Sequence, residues 1–576
     1  MFPRMKDLRN INIPLNTAVI DFDEFTSSSM HDRIHGLERV IDEFLSQPVF
    51  TEAEVFFSGF DAICQAYDVI IKPFDHLLKV TRDDDLNEQL LNLRKARQNA
   101  VKRMMEHDAF RQFVIAGTDS TSILGDEFKR FRTVLNKKSQ LLGLALPKNQ
   151  RDSIAELSNE IVALQSSYRK RVTDASSSFG EQMATVSKSD ERYARKKAWI
   201  QRYTANLSDQ HDTRPIITKI LDLRKDLSHR LGADNYAELM AGHRAAGSTD
   251  VIDRFILNSA DRILPEARNR LTTLKAFAAT VDSDIKELQP WDISYLNRLY
   301  LEKNFSLPSG DEDKTSGSRI FQLNHSLDII VEVIDNFFGI QLNEVHGLPV
   351  WHPDVRVFDW FDSAGRQIGR QYLDLFTRPG EKSIGAWKSS ILHGCSALGR
   401  EQLPVCGLQC NFPRGKTGET VYLAWDEVKT LFHEFGHCLH ELCCQLRISS
   451  LSGTQVDRDI LEFPSSFMEL YSQQPAIMKM LGNDSGRDHE ISNETLKILQ
   501  ERDRFMAPFK DLRRLKLAWF DYQLHKRNLT DIAEIHELYL ACEKNYGLVE
   551  IPASAWPETS FNHISAGDYA VGYYGY

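Results

Sequence analysis

His433, Glu434 and His437 stand in the order H-E-x-x-H within LFHEFGHCLHEL, where Val428, Leu431, Phe432, Phe435, Leu439 and Leu442 recur at helical spacing. On a helix, residues four apart lie one above the other, so the two imidazoles can offer nitrogens to one ion at the roughly 2.0–2.1 Å that zinc prefers. Glu434 is one step round the helix, on the open side of such an ion, where its carboxylate can take a proton from a polarised water. Chemistry of that kind is hydrolysis. A histidine pair on a helix is by itself more often structural or superficial, so the reading turns on a third protein ligand and an open fourth position.

The extended pattern H-E-x-x-H-x-x-G-x-x-H fails, because His440 stands where Gly is required and Cys443 where the third His would be. Cys443 or Glu441 would ligate from the same helix, with poor tetrahedral geometry. The better candidate is Glu462 in DRDILEFPSSFMEL, 25 residues after His437. Ile460, Leu461, Phe463 and Phe467 predict a second buried helix around it, and a buried carboxylate must be paired or bound to metal. Asp459 and Glu469 would share its helical face as acceptors for the ring N–H of a ligating histidine; the plainer alternative is that they are surface carboxylates. Gly436 costs its helix about 1 kcal/mol relative to Ala, which close backbone packing would explain.

These residues need a large scaffold. The chain has 576 residues, too many for one core, and its 70 Lys+Arg against 81 Asp+Glu give a net charge of −11, with no general pull toward nucleic acid or anionic lipid. No apolar run is long enough to span a membrane, and the N-terminal stretch has no secretory core. Its Arg4, Lys6 and Arg9 are interrupted by Asp7, so a cytoplasmic protein is expected in preference to one with a mitochondrial transit segment. The eight cysteines form no disulfide framework, which fits a reducing compartment, and Cys406 and Cys410 read as buried thiols rather than half of a zinc finger. Gly415-Lys416-Thr417 is not a phosphate loop, because its first Gly would fall at Cys410.

To about residue 305 the pattern is a succession of amphipathic helices. Ile154, Leu157, Ile161, Leu164 and Tyr168 mark one, Leu86, Leu90, Leu91 and Val101 another, and residues 218–280 continue in the same way. LPSGDEDKTSGS (307–318) reads as a loop or hinge between an N-terminal helical lobe, 1–306, and a second lobe, 319–576. Between Trp351 and Phe376 the period shortens toward two about an Asp362-Ser363-Ala364-Gly365 turn, which predicts a β-hairpin. Extended segments follow at Leu403–Phe412 and Thr420–Ala424, and helix resumes near Asp426.

HEFGH followed by LEFPSSFMELY resembles the thimet oligopeptidase, neurolysin and oligopeptidase A family of zinc peptidases, with both motifs at the family's spacing. The likeness runs through YLDLFTRPGEKSIGAW (372–387), CNFPRGKTGETVYLAWDEVKTLFHEFGH (410–437) and FNHISAGDYAVGYYGY (561–576), and more weakly through the helical first half. It implies a mainly α fold: a two-lobed helical ellipsoid with a deep central channel, a zincin-type core and a small β-sheet near the metal helix. It further implies one zinc ion held by His433, His437 and Glu462, Glu434 as general base, and a monomer that cleaves short unstructured peptides. The strand near Thr420–Ala424 would pair with the substrate backbone.

In the tail, His563, Tyr569, Tyr573 and Tyr576 match the family's motif positions. Phenol or imidazole donors stabilise a tetrahedral oxyanion, each worth about 2.7–4 kcal/mol. The resemblance makes Tyr569 and Tyr576 the main donors, with His563 assisting and Tyr573 contacting substrate. Asp568 departs from the family's usual Gly beside the first tyrosine. The chain also ends at Tyr576, where relatives continue, so the catalytic lobe is expected to lack the family's C-terminal extension. The competing expectation is therefore a catalytically impaired or inactive peptide-binding protein on the same scaffold.

Overall fold

The computed structural model describes residues 37–46, 50, 52–81, 84–117, 125–177, 189–208, 210–282, 285–307, 319–395, 402–415, 419–483 and 491–576. Its principal elements are α1 (Ala53–Thr81), α2 (Asp84–Glu106), α3 (Asp126–Leu141), α4 (Lys148–Ser177), α5 (Arg192–Thr204), α6 (Arg214–Arg230), α7 (Thr249–Val281), α8 (Pro290–Asn304) and α9 (Leu323–Phe338). There follow β1 (Gln341–Val345), β2 (Arg356–Phe361), β3 (Gln367–Phe376), β4 (Trp387–Leu392) and β5 (Val405–Phe412), then α10 (Trp425–Leu442), α11 (Phe463–Ser472), α12 (Asn493–Lys526) and α13 (Ile532–Tyr546). The fold is mainly α, as expected. Among the described residues no helix is long and apolar enough to cross a membrane.

The chain divides into two compact units, Met1–Gln140 with Gly310–Val456 and Phe463–Ser492, and Leu141–Ser309 with Asp457–Glu462 and Asn493–Tyr576. This differs from the consecutive lobes 1–306 and 319–576, because each unit is closed by long-range packing that local composition does not reveal. Of the expected hinge, residues 308–318 lie outside the described residues.

The first unit is built round a five-stranded sheet of order β1-β2-β3-β5-β4, antiparallel except for β3 and β5. β2 and β3 are the expected hairpin, turning at Gly365 with φ +74°. All residues from Ile368 to Leu375 are buried, so both faces of β3 are covered. Beyond β3 a buried charge cluster fixes the chain: Lys382 Nζ donates to Asp374 Oδ1 and O (both 2.8 Å), Phe376 O (2.9 Å) and Cys410 O (2.7 Å), and Arg378 donates to both Asp374 oxygens. Tyr422–Leu423, within the expected extended segment, pairs with Phe321–Gln322 in a separate two-stranded sheet.

The second unit is helical. Ile252, Ile256 and Ala260 of α7 form a core with Leu512, Leu515, Ala518 and Tyr522 of α12, and Val571 of the tail closes it. A neighbouring core joins Tyr168 and Val172 of α4 to Phe520, Leu524, Ile535 and Tyr539, with Phe561 and Ile564 packed in. The two cores together seat the last sixteen residues, 561–576.

Candidate metal centre

The sequence sets α10 locally. Glu427 accepts from the Ala424 N–H (2.8 Å), satisfying a donor before the first turn, and is itself held by Arg319 Nη2 (2.8 Å). The apolar positions Val428, Leu431, Phe432, Phe435, Leu439 and Leu442 are all buried, which sets the face on which the histidines emerge. Gly436 explains the next step. A Cβ there would fall 2.6 Å from both Pro464 O and Ser465 Cα and 2.9 Å from Met468 Cβ, so α10 and α11 touch backbone to backbone where only glycine fits.

The predicted helix through Glu462 is corrected. α11 starts at Phe463, with Pro464 in its first turn, and Glu462 belongs to the preceding turns. Its buried face is Ser465, Met468 and Ser472 rather than phenylalanine, because close backbone approach leaves room only for small side chains; Phe463 is 71% exposed. Asp459 therefore does not share a helical face with Glu462. Its carboxylate accepts from the Ala245 and Ala246 N–H groups (3.0 and 3.1 Å) and the Tyr574 hydroxyl (2.6 Å), which makes it an anchor of its own unit and not an acceptor for a histidine ring.

His433, His437 and Glu462 each offer a ligand atom, and these atoms lie within 4.8 Å of one another. The boundary between the units runs through the Glu462–Phe463 peptide bond, so Glu462 directly precedes α11. Two imidazoles and one carboxylate are the donor set of a catalytic zinc site that keeps one position open, and their spacing suits a single ion. Glu469 Oε2 is 3.3 Å from His433 Nδ1. A carboxylate only accepts, so Nδ1 carries the proton and Nε2 is left for an ion. Glu434 is 5% exposed on the same helix, and its charge adds to burial in raising the Cys410 thiol well above its usual range.

The same-helix alternatives fall away. Glu441 accepts from Lys388 Nζ (2.6 Å), the Ser390 hydroxyl (2.8 Å) and His393 Nδ1 (2.7 Å), and the first of these charges does most to hold its carboxyl far below the ordinary range against the cost of burial. Cys443 is the exposed C-cap residue of α10.

In the second unit the rings of the four tail residues lie close together. His563 lies with its ring centroid 6.0, 5.4 and 5.9 Å from those of Tyr569, Tyr573 and Tyr576, and Tyr569 and Tyr576 are 5.1 Å apart. Tyr569 donates to Glu462 Oε1 (3.3 Å) and is hydrogen-bonded to Tyr576. Burial raises both phenols and lowers His563, so the phenols keep their protons and the imidazole is neutral. Sequence reasoning missed Asp521, Arg244 and Tyr574, which hold this tail. The available signal was a carboxylate inside the apolar run LAWFDYQL.

The sequence model described as peptidase family M3 matches residues 185–576. The chain is 34% identical to oligopeptidase A of Salmonella typhimurium (strain LT2) over 384 residues, 65% of this chain and 55% of that one. It is 30% identical to the dipeptidyl carboxypeptidase of Escherichia coli (strain K12) over 404 residues, 69% of this chain and 57% of that one. The chain thus spans little more than half the length of these curated relatives. Among solved structures, a PZ peptidase A with an inhibitor superposes with a TM-score of 0.58 at 14% identity, covering 95% of this chain and 85% of that one, a likeness of fold.

Proposed function

The chain belongs to peptidase family M3, and from that premise we propose that it is a zinc-dependent oligopeptidase hydrolysing internal bonds of short, unstructured peptides. The observation that carries the reading is the convergence within 4.8 Å of ligand atoms of Glu462 and of His433 and His437, the latter two on the helix that also bears Glu434. Bound by these three side chains, zinc would supply Lewis acidity, acidifying water and polarising the scissile carbonyl.

The protein's own groups do the rest. Glu469 fixes the His433 tautomer, and Glu434 takes the proton of the attacking water and passes it to the leaving amine. Tyr576 donates to the developing oxyanion, and Tyr569 joins it by turning its single hydroxyl proton from Glu462 to the same oxygen; neutral His563 assists, and Tyr573 contacts substrate. Retention of the three ligands together with Glu434 favours catalysis over binding alone. Cys64, Cys406, Cys410, Cys438, Cys443, Cys444 and Cys542 are free thiols, which supports a reducing, cytoplasmic setting.

The test is to strip metal with a chelator, titrate zinc back and follow cleavage of internally quenched peptides of increasing length beside a folded protein. The expected result is activity that saturates at one equivalent of zinc, internal cuts in the peptides and no cut in the folded protein. One bound equivalent without cleavage would overturn the reading. Stepwise release of dipeptides from the C-terminus would instead align the chain with its dipeptidyl carboxypeptidase relative.

A further inference from the structure

The tyrosine tail is an irregular segment, so something must hold its rings in register. α12 supplies one grip. Asp521, 1% exposed, accepts three successive backbone N–H groups: Val571 at Oδ1 (3.0 Å), and Gly572 and Tyr573 at Oδ2 (both 3.3 Å). The other grip is Arg244, whose Nη2 donates to Asp568 O (2.8 Å) and Ala570 O (2.7 Å). An anion thus collects the donors of the turn and a cation its acceptors, a division of labour that leaves few ways to place the backbone.

The geometry held in this way is a costly one. Val571 has φ +56°, a conformation that a β-branched residue strongly disfavours, and its side chain is fully buried. Such a residue persists only where its surroundings over-determine it. Asp521 is itself backed on its own helix: His525 Nδ1 donates to the Asp521 carbonyl oxygen (2.8 Å) and lies 3.1 Å from Asp521 Oδ1, and its Nε2 lies 3.0 Å from Arg224 Nη1. Arg224 only donates, so Nε2 accepts and Nδ1 carries the proton that the Asp521 carbonyl oxygen accepts. Arg224 and His525 thus back the turn of α12 from which the Asp521 carboxylate reaches the amides of Val571, Gly572 and Tyr573.

We propose that Asp521 and Arg244 are positioning residues for the catalytic tyrosines, clamping the backbone of residues 568–573 so that Tyr569 and Tyr576 are presented on the side of Glu462. Neither touches substrate. The inference rests on the oligopeptidase reading, so its test has an arm independent of turnover. Asp521→Asn and Arg244→Met are compared with the parent by amide hydrogen exchange and by steady-state cleavage of one quenched peptide.

In the parent, the amides of Val571, Gly572 and Tyr573 are protected. In Asp521→Asn they lose that protection while α12 keeps its own, and kcat falls about 10–100-fold with KM within about threefold, as a misplacement near 1 Å produces. Arg244→Met, at a buried position on the short turn after Ala241, shows the same split and decides the matter if Asp521→Asn does not fold. The proposal is overturned by unchanged protection at 571–573, by a rise in KM at constant kcat, or by loss of protection along the whole of α12. A parent that binds zinc without cleaving anything would sink the oligopeptidase reading instead, leaving the exchange arm to decide the clamp.

Discussion

Glu469 and Tyr576 test the site one side chain at a time. The 3.3 Å contact between Glu469 and His433 sets which ring nitrogen faces an ion, so Glu469→Gln is expected to weaken zinc affinity by about 10–100-fold, read by competition with a chromogenic chelator. Tyr576→Phe removes one donor and no ligand; kcat should fall about 100–1,000-fold with zinc content unchanged, as measured by single-turnover cleavage. At this scale the sequence was informative wherever chemistry follows spacing. His433, Glu434 and His437 needed only a helix, whereas Glu469 was named from a helical face shared with Glu462, which precedes the helix, and its place beside His433 comes from the packing of α11 on α10. Asp459 was misjudged because its segment turns where a helix was expected, so a face assigned by helical angle had no meaning there. Asp521 went unread because its partners are backbone amides fifty residues away, which carry no side-chain signature.

Two elements meet at Gly436, and the crossing sets α11 backbone to backbone against the helix that carries His433 and His437. Gly436→Ala places a methyl 2.6 Å from the α11 backbone, which must move; the expected cost is about 1–3 kcal/mol, with weakened zinc binding, checked by urea unfolding of the zinc-free and zinc-loaded protein. Lys382→Met leaves Asp374 with only Arg378 as its buried charge partner and is expected to destabilise by about 3–5 kcal/mol. The long helices and the β2–β3 hairpin were legible because their period is local. The exposed phenylalanines of α11 were not: apolarity predicted burial, whereas the packing surface required Ser465 and Ser472, and a backbone contact of that kind leaves no hydrophobic trace.

For the whole molecule, local composition suggested consecutive lobes, while the packing groups the last 84 residues with α4–α8 and groups α1–α3 with the sheet. Asp61 of α1 illustrates such long-range closure, accepting from the Ser449 and Ser450 N–H groups (2.7 and 2.8 Å) beyond the metal helix. Burial raises its pKa to about 6 from 3.8. The native state then holds a proton that the unfolded chain has released, so this stability is fully present below about pH 3.8 and is lost as pH rises to about 6. Asp61→Asn should flatten that part of the profile, which the difference between parent and variant urea midpoints at pH 4 and 7 would reveal. The central claim is that one zinc on His433, His437 and Glu462 works with Glu434, and its most direct test is zinc content and peptide cleavage of the parent beside Glu434→Gln. The account predicts one zinc in each and turnover at least about 100-fold lower in the variant; equal cleavage by the two proteins would contradict it.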